Sequence, residues 1–108
     1  MRTAISDLRE FVAGKSFADF QKDRMAQAAV ERKFEVLGKA MYRLRNAHEE
    51  IFDAIENGHR IIGMRNNIAH GYDVLDERIL WEAIERDLGG VENDLSSVIQ
   101  TVKGSYDQ

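Results

Sequence analysis

The chain contains no cysteine and no proline in 108 residues. Without cysteine it has no disulfide, no thiolate zinc site and no thiol nucleophile. That suits a reducing interior, and a cytoplasmic location is the expectation. Average usage would supply about five prolines, and with none of them little interrupts a helix. Long apolar runs are missing as well. No stretch approaches the ~18 residues needed to cross a bilayer, and the N-terminal residues hold no apolar run of signal-peptide length. No membrane role is expected. Net charge is small and negative, −4, which argues against wrapping nucleic acid through overall charge. A local basic groove stays open, because counterion release depends on the cations at the contact.

What is present reads as one helical domain over residues 1–108, with 103–108 as a frayed tail. Apolar and charged residues make up 44% and 31% of the chain, the proportions of a soluble globular protein. Ile5, Leu8 and Val12 share one side of a helix over 3–13, broken by Gly14 and Lys15. Ser16-Phe17-Ala18-Asp19 has the form of a capping box and opens a long helix expected over 17–44. Its apolar residues Val30, Phe34, Leu37, Met41 and Leu44 are spaced 4, 3, 4 and 3. Ala29, Val36 and Ala40 widen that stripe, as burial against several neighbours requires. Arg32, Lys39 and Arg43 fall on a different face.

Asn46 with Glu49 is the expected cap of a short helix reaching about residue 56, ended by Asn57-Gly58. A helix over 60–69 carries Ile61, Ile62, Met64 and Ile68, and Gly71 is placed to close it in a left-handed conformation. Asp73 with Asp76 can start the last helix. Trp81, Ile84, Leu88, Val91, Leu95, Val98 and Val102 then alternate 3 and 4 without a slip. One helical direction follows, with a kink expected at Gly89-Gly90, where each glycine costs about 1 kcal/mol relative to alanine. The expected fold is all-α, an antiparallel bundle of four to five helices. Met25, Met41 and Met64 are read as core fillers, Trp81 as core by its phase, and Gly63 as a point of close helix approach.

One segment concentrates polar chemistry: Met64-Arg65-Asn66-Asn67-Ile68-Ala69-His70-Gly71-Tyr72-Asp73. Arginine offers a permanent planar charge that matches phosphate oxygens. Histidine can take and give a proton near neutrality. Asn66 and His70 are four apart and nearly superposed on a helix, and Arg65 lies about 140° from His70, within reach of its long side chain. A helix C-terminus favours cations, which suits His70 as a general acid. RNA cleavage without a metal needs a base for the 2′-hydroxyl, an acid for the leaving 5′-oxygen and a cation on the phosphorane. One chain supplies one histidine in this motif. A symmetric dimer would supply two histidines and two arginines, and two-fold pairing is the commonest oligomer.

Ile61-Ile62-Gly63-Met64-Arg65-Asn66 running into Ala69-His70-Gly71-Tyr72 resembles the signature of HEPN-domain proteins, specifically the HepT-like toxin family. Ser16-Phe17 with Phe20 and Asp23, Ala29-Val30-Glu31-Arg32-Lys33 and Leu37-Gly38-Lys39-Ala40 look like that family's long second helix. Ile79-Leu80-Trp81 with Asp87-Leu88 is similar to the stretch after its catalytic motif. The resemblance implies an all-α, dimeric, metal-independent endoribonuclease whose Arg-x4-His motifs from both chains form one cleft. It makes Arg65 and His70 catalytic and Asn66 their polar neighbour. It makes Tyr72 the hydroxyl to which a minimal nucleotidyltransferase antitoxin transfers AMP, silencing a toxin. Added phosphodiester charge beside Arg65 and His70 would compete with RNA for the same cations. Two departures stand out: Lys39 replaces a glutamate frequent in the family, and the first helix is shorter than usual.

The remaining candidates carry simpler readings. His48 and His59 lack metal-ligand spacing and are read as structural or solvent-facing, so neither metal nor cofactor is expected. Arg60, Lys39 and Arg43 are possible RNA phosphate contacts, with Arg60 the nearest to the motif in sequence; a solvated face is the plainer account of the Arg32, Lys39 and Arg43 stripe. The alternative function is a non-catalytic helical module that docks onto a nucleotidyltransferase as an interaction or substrate-presenting subunit. That reading needs neither Arg65 nor His70.

Overall fold

The computed structural model describes residues 1–69 and 77–106. All regular structure among them is helical: α1 Arg2–Val12, α2 Phe17–Lys22, α3 Arg24–Ala47, α4 Glu49–Asp53, α5 Gly58–Ala69, α6 Glu77–Glu82, and, after a π-helical turn over Ala83–Asp87, α7 Leu88–Tyr106. The all-α bundle expected from the sequence is what forms. Helix α3 is its spine, with α1, α4 and α5 packed along it and α7 closing over α1.

Apolar periodicity explains the packing. Ala26, Val30, Phe34, Leu37 and Met41 form the buried seam of α3, met by Ile5 and Leu8 of α1, Ile61, Ile62 and Met64 of α5, and Leu88, Val91 and Leu95 of α7. Burying a side chain of this class stabilises by roughly 1.5–3 kcal/mol. Among the described residues no charged or polar side chain is buried, so the core rests on apolar packing alone. Trp81 is half-buried against Phe17 and Phe20, with ring centroids 6.1 and 5.6 Å away.

Several expectations are corrected. The helix expected over 17–44 is two helices, because Asp23 leaves the helical region (φ −102°, ψ 91°) and caps α3 by accepting from the Ala26 amide at 3.0 Å. Lys15 donates to its carboxylate at 2.9 Å, and the Gln27 amide donates to the Phe20 and Gln21 carbonyls at the end of α2. The capping box at Ser16 and Asp19 forms as expected. Asn46 is not a cap: α3 continues to Ala47, and the His48 amide bonds the Leu44 carbonyl at 2.7 Å. Met25 is 84% exposed, since Ala26 takes the seam position in that first turn.

The corner between α4 and α5 turns at Asn57, the one non-glycine residue with positive φ (66°) among those described. The Glu56 amide donates to Asp94 of α7 at 2.7 Å, tying this corner to the far helix. Gly89 and Gly90 sit inside α7; the irregularity expected there lies upstream, in the π turn over Ala83–Asp87. Helix α7 runs on to Tyr106. The expected Gly71 closure and the Asp73 and Asp76 start lie outside the described residues.

Candidate functional site

Arg65 is positioned by a glycine on the opposite helix. Where α5 crosses α3, a methyl group at Gly38 would overlap the Arg65 Cβ and reach within 3.1 Å of the Ile61 carbonyl oxygen. Hydrogen at that position lets the two backbones approach and seats Arg65, half-buried, at the α3–α5 seam. Gly63 has no such role, because a Cβ there would meet nothing within 4 Å. Close approach depends on which glycine faces the neighbour, and Gly38 lies between Leu37 and Met41 on the buried stripe. That location was the available signal.

Arg65 opens onto a groove of about 540 Å³ that runs along α3. Arg32, Lys39 and Arg43 line its α3 side, and Val36 and Ala40 line it between them. Val36 and Ala40 therefore do not widen the buried stripe: Val36 is 40% exposed and Ala40 is half-buried. Among the described residues, Glu35 is the sole carboxylate of the lining, and it pairs with Arg32 at 3.1 Å. Among the described residues, no ion pair engages Lys39, Arg43 or Arg65. Among the described residues, four cations facing one carboxylate make this a positive concavity on a chain whose net charge is −4. A concavity walled by one sign of charge concentrates counter-ions of the other.

Arg60 is elsewhere. Five residues from Arg65, it points about 140° away around the helix and pairs with Asp87 at 3.2 Å. It borders a second groove, of about 320 Å³, in which Arg60 and Arg86 face Glu82 and Asp87. Among the described residues those charges balance, so this groove has no comparable pull on an anion. Asn66 is exposed on α5 beside Arg65. His70 and Tyr72 lie outside the described residues.

Of the other histidines, His48 is exposed at the α3–α4 junction, and His59 sets its ring edge-on to Phe52 at 4.8 Å. Among the described residues no three His, Cys, Asp or Glu side chains gather as a metal site. None of their helices is long and apolar enough to cross a membrane. Among the described residues, the shifted titrations lie at the α2 caps. Backbone and side-chain hydrogen bonds from Ser16 hold Asp19 below the usual carboxylate range, and the Lys15 ammonium with the Ala26 amide does the same for Asp23.

Comparison with known proteins points the same way. The model of the family described as ribonuclease HepT-like matches residues 1–102. The chain is similar to a candidate RNase of Caldanaerobacter subterraneus subsp. tengcongensis, 32% identical over 89% of this chain and 85% of that one. A candidate ribonuclease HepT of Thermococcus cleftensis is 31% identical over 79% of this chain and 76% of its own. A candidate RNase of Methanocaldococcus jannaschii is 26% identical over 86% and 84% respectively. No solved structure matches significantly.

Proposed function

Because the chain belongs to the ribonuclease HepT-like family, we propose that it is the metal-independent endoribonuclease toxin of a HEPN and nucleotidyltransferase toxin–antitoxin pair. Its catalytic groups are Arg65, Asn66 and His70, doubled by a two-fold homodimer into one composite cleft. A neutral imidazole takes the proton of an RNA 2′-hydroxyl as that oxygen attacks the adjacent phosphorus. The partner chain's imidazolium protonates the departing 5′-oxygen. The products are a 2′,3′-cyclic phosphate and a 5′-hydroxyl, and each histidine ends in the other's starting state. The paired Arg65 guanidiniums hold the phosphorane oxygens, where charge builds in the transition state. Asn66 orients the two.

The observation that supports this reading is the seat of Arg65: fixed against Gly38, free of any carboxylate among the described residues, and open to a cationic groove. Silencing follows from Tyr72. The antitoxin joins its phenolic oxygen to the α-phosphorus of ATP, pyrophosphate departs and the phenolic proton passes to solvent. The new phosphodiester then occupies the Arg65 and His70 cations in place of RNA.

Purified wild type and His70→Ala are compared on bulk RNA and tRNA in EDTA. General acid–base catalysis contributes roughly 10²–10⁴-fold, and a loss of that size is expected. Equal cutting, or equal inertness, removes the catalytic reading and leaves the docking module. A mass gain of AMP units that Tyr72→Phe abolishes is the expected mark of silencing; transfer to another residue alone overturns that part.

A further inference from the structure

The groove along α3 extends well beyond Arg65, and the chemistry of bond cleavage does not use that length. Lys39 and Arg43 are one helical turn apart, about 6 Å along the axis, and Arg32 lies about 10 Å before Lys39. Val36 and Ala40 leave an apolar strip between these cations. Lys39, Arg43 and Arg65 are unpaired among the described residues, whereas Arg32 is held by Glu35 at 3.1 Å. Unpaired cations spaced along a concave face can take successive anionic groups of one chain, and small apolar side chains between them let that chain lie close. A duplex presents its phosphates across a groove wider than one helix face. An extended single strand presents them in file.

We propose that Lys39 and Arg43 form a phosphate rail continuing from Arg65, which holds a single RNA strand beyond the scissile phosphate, with Glu35 keeping Arg32 out of the rail. The identity of the polymer rests on the ribonuclease reading; the rail itself does not depend on catalysis. Each phosphate–cation contact on a single strand contributes a salt slope of about 0.7, which corresponds to roughly five-fold in affinity at ~0.1 M salt. Removing two contacts should therefore weaken binding about 25-fold and lower the slope by about 1.4.

The test measures anisotropy of a labelled 2′-O-methyl oligoribonucleotide, which has no free 2′-hydroxyl and cannot be cut, across a salt series. Expected are a roughly 25-fold loss and the lower slope for the Lys39→Gln, Arg43→Gln double variant. Glu35→Gln should tighten binding about five-fold by releasing Arg32, a gain that mere loosening of the fold would not produce. Unchanged affinity and slope in both variants overturns the rail. So does a double variant that keeps its RNA affinity but changes its sedimentation, because the groove then holds a second copy. Since the probe is not cleaved, failure here leaves the His70 experiment standing, and failure of that experiment leaves this one interpretable.

Discussion

Alanine at Gly38 and alanine at Gly63 should move stability in opposite directions, although both glycines lie inside helices. In an exposed helix interior, glycine to alanine removes backbone entropy from the unfolded chain and stabilises by roughly 0.5–1 kcal/mol. Gly63 meets that condition, because an added Cβ finds nothing within 4 Å. At Gly38 the same gain is opposed by a methyl group driven into the Arg65 Cβ and towards the Ile61 carbonyl. One obstacle is the root of a side chain and the other is backbone, so neither can rotate away and α5 must shift. Overpacking of this kind costs about 1–3 kcal/mol, so a net loss of up to about 2 kcal/mol remains. At roughly 4–8 °C per kcal/mol, Gly63→Ala should melt several degrees above wild type and Gly38→Ala several degrees below it. Because the displaced element carries Arg65, Gly38→Ala should also lose RNA cleavage at temperatures where it is still folded, while Gly63→Ala keeps it. If Gly38→Ala proves as stable as Gly63→Ala, the close crossing is wrong, and with it the account of how Arg65 is seated.

Asp23→Asn should keep the cap, since asparagine serves there equally well, but lose the pairing with Lys15. The folded carboxyl titrates below its unfolded value, so its stabilisation is full above about pH 4 and disappears as pH falls through the lowered value. The urea midpoint of wild type should therefore exceed that of Asp23→Asn near neutrality and converge with it as pH falls through the lowered value; a constant gap would refute the assignment. Met25→Lys should change the melting temperature little, as surface substitutions usually stay within about 0.5 kcal/mol. Met41→Lys, placing a charge at a fully buried position, should unfold the protein or nearly so; comparable effects of the two would contradict the register of α3.

Periodicity made the bundle legible: every seam position of α3 from Val30 to Met41 was readable from spacings of three and four, and so was the single direction from Trp81 to Leu95. It failed where one local hydrogen bond decides. The break at Asp23 has no proline or glycine to mark it, and depends on an aspartate that caps α3 while Lys15 holds its other oxygen. Periodicity also counts Val36 and Ala40 as seam, because it measures angle around a helix and not whether anything lies opposite. Both residues line the groove instead, Val36 with 40% of its surface exposed. Lys39, Arg43 and Arg65 could each be named from sequence as candidate cations; that they share one concavity while Arg60 turns to Asp87 depends on the α3–α5 crossing, a tertiary fact. Gly38 was visible on the buried stripe, but only the facing residue shows which contact it permits.

The most direct measurement is the chemistry of the ends left on RNA cut in EDTA by the wild-type protein. Transphosphorylation through Arg65 and His70 predicts 2′,3′-cyclic phosphate on one fragment and a 5′-hydroxyl on the other, with both products missing for His70→Ala. Fragments ending in 3′-hydroxyl and 5′-phosphate, or the same ends at the same rate from His70→Ala, would contradict it.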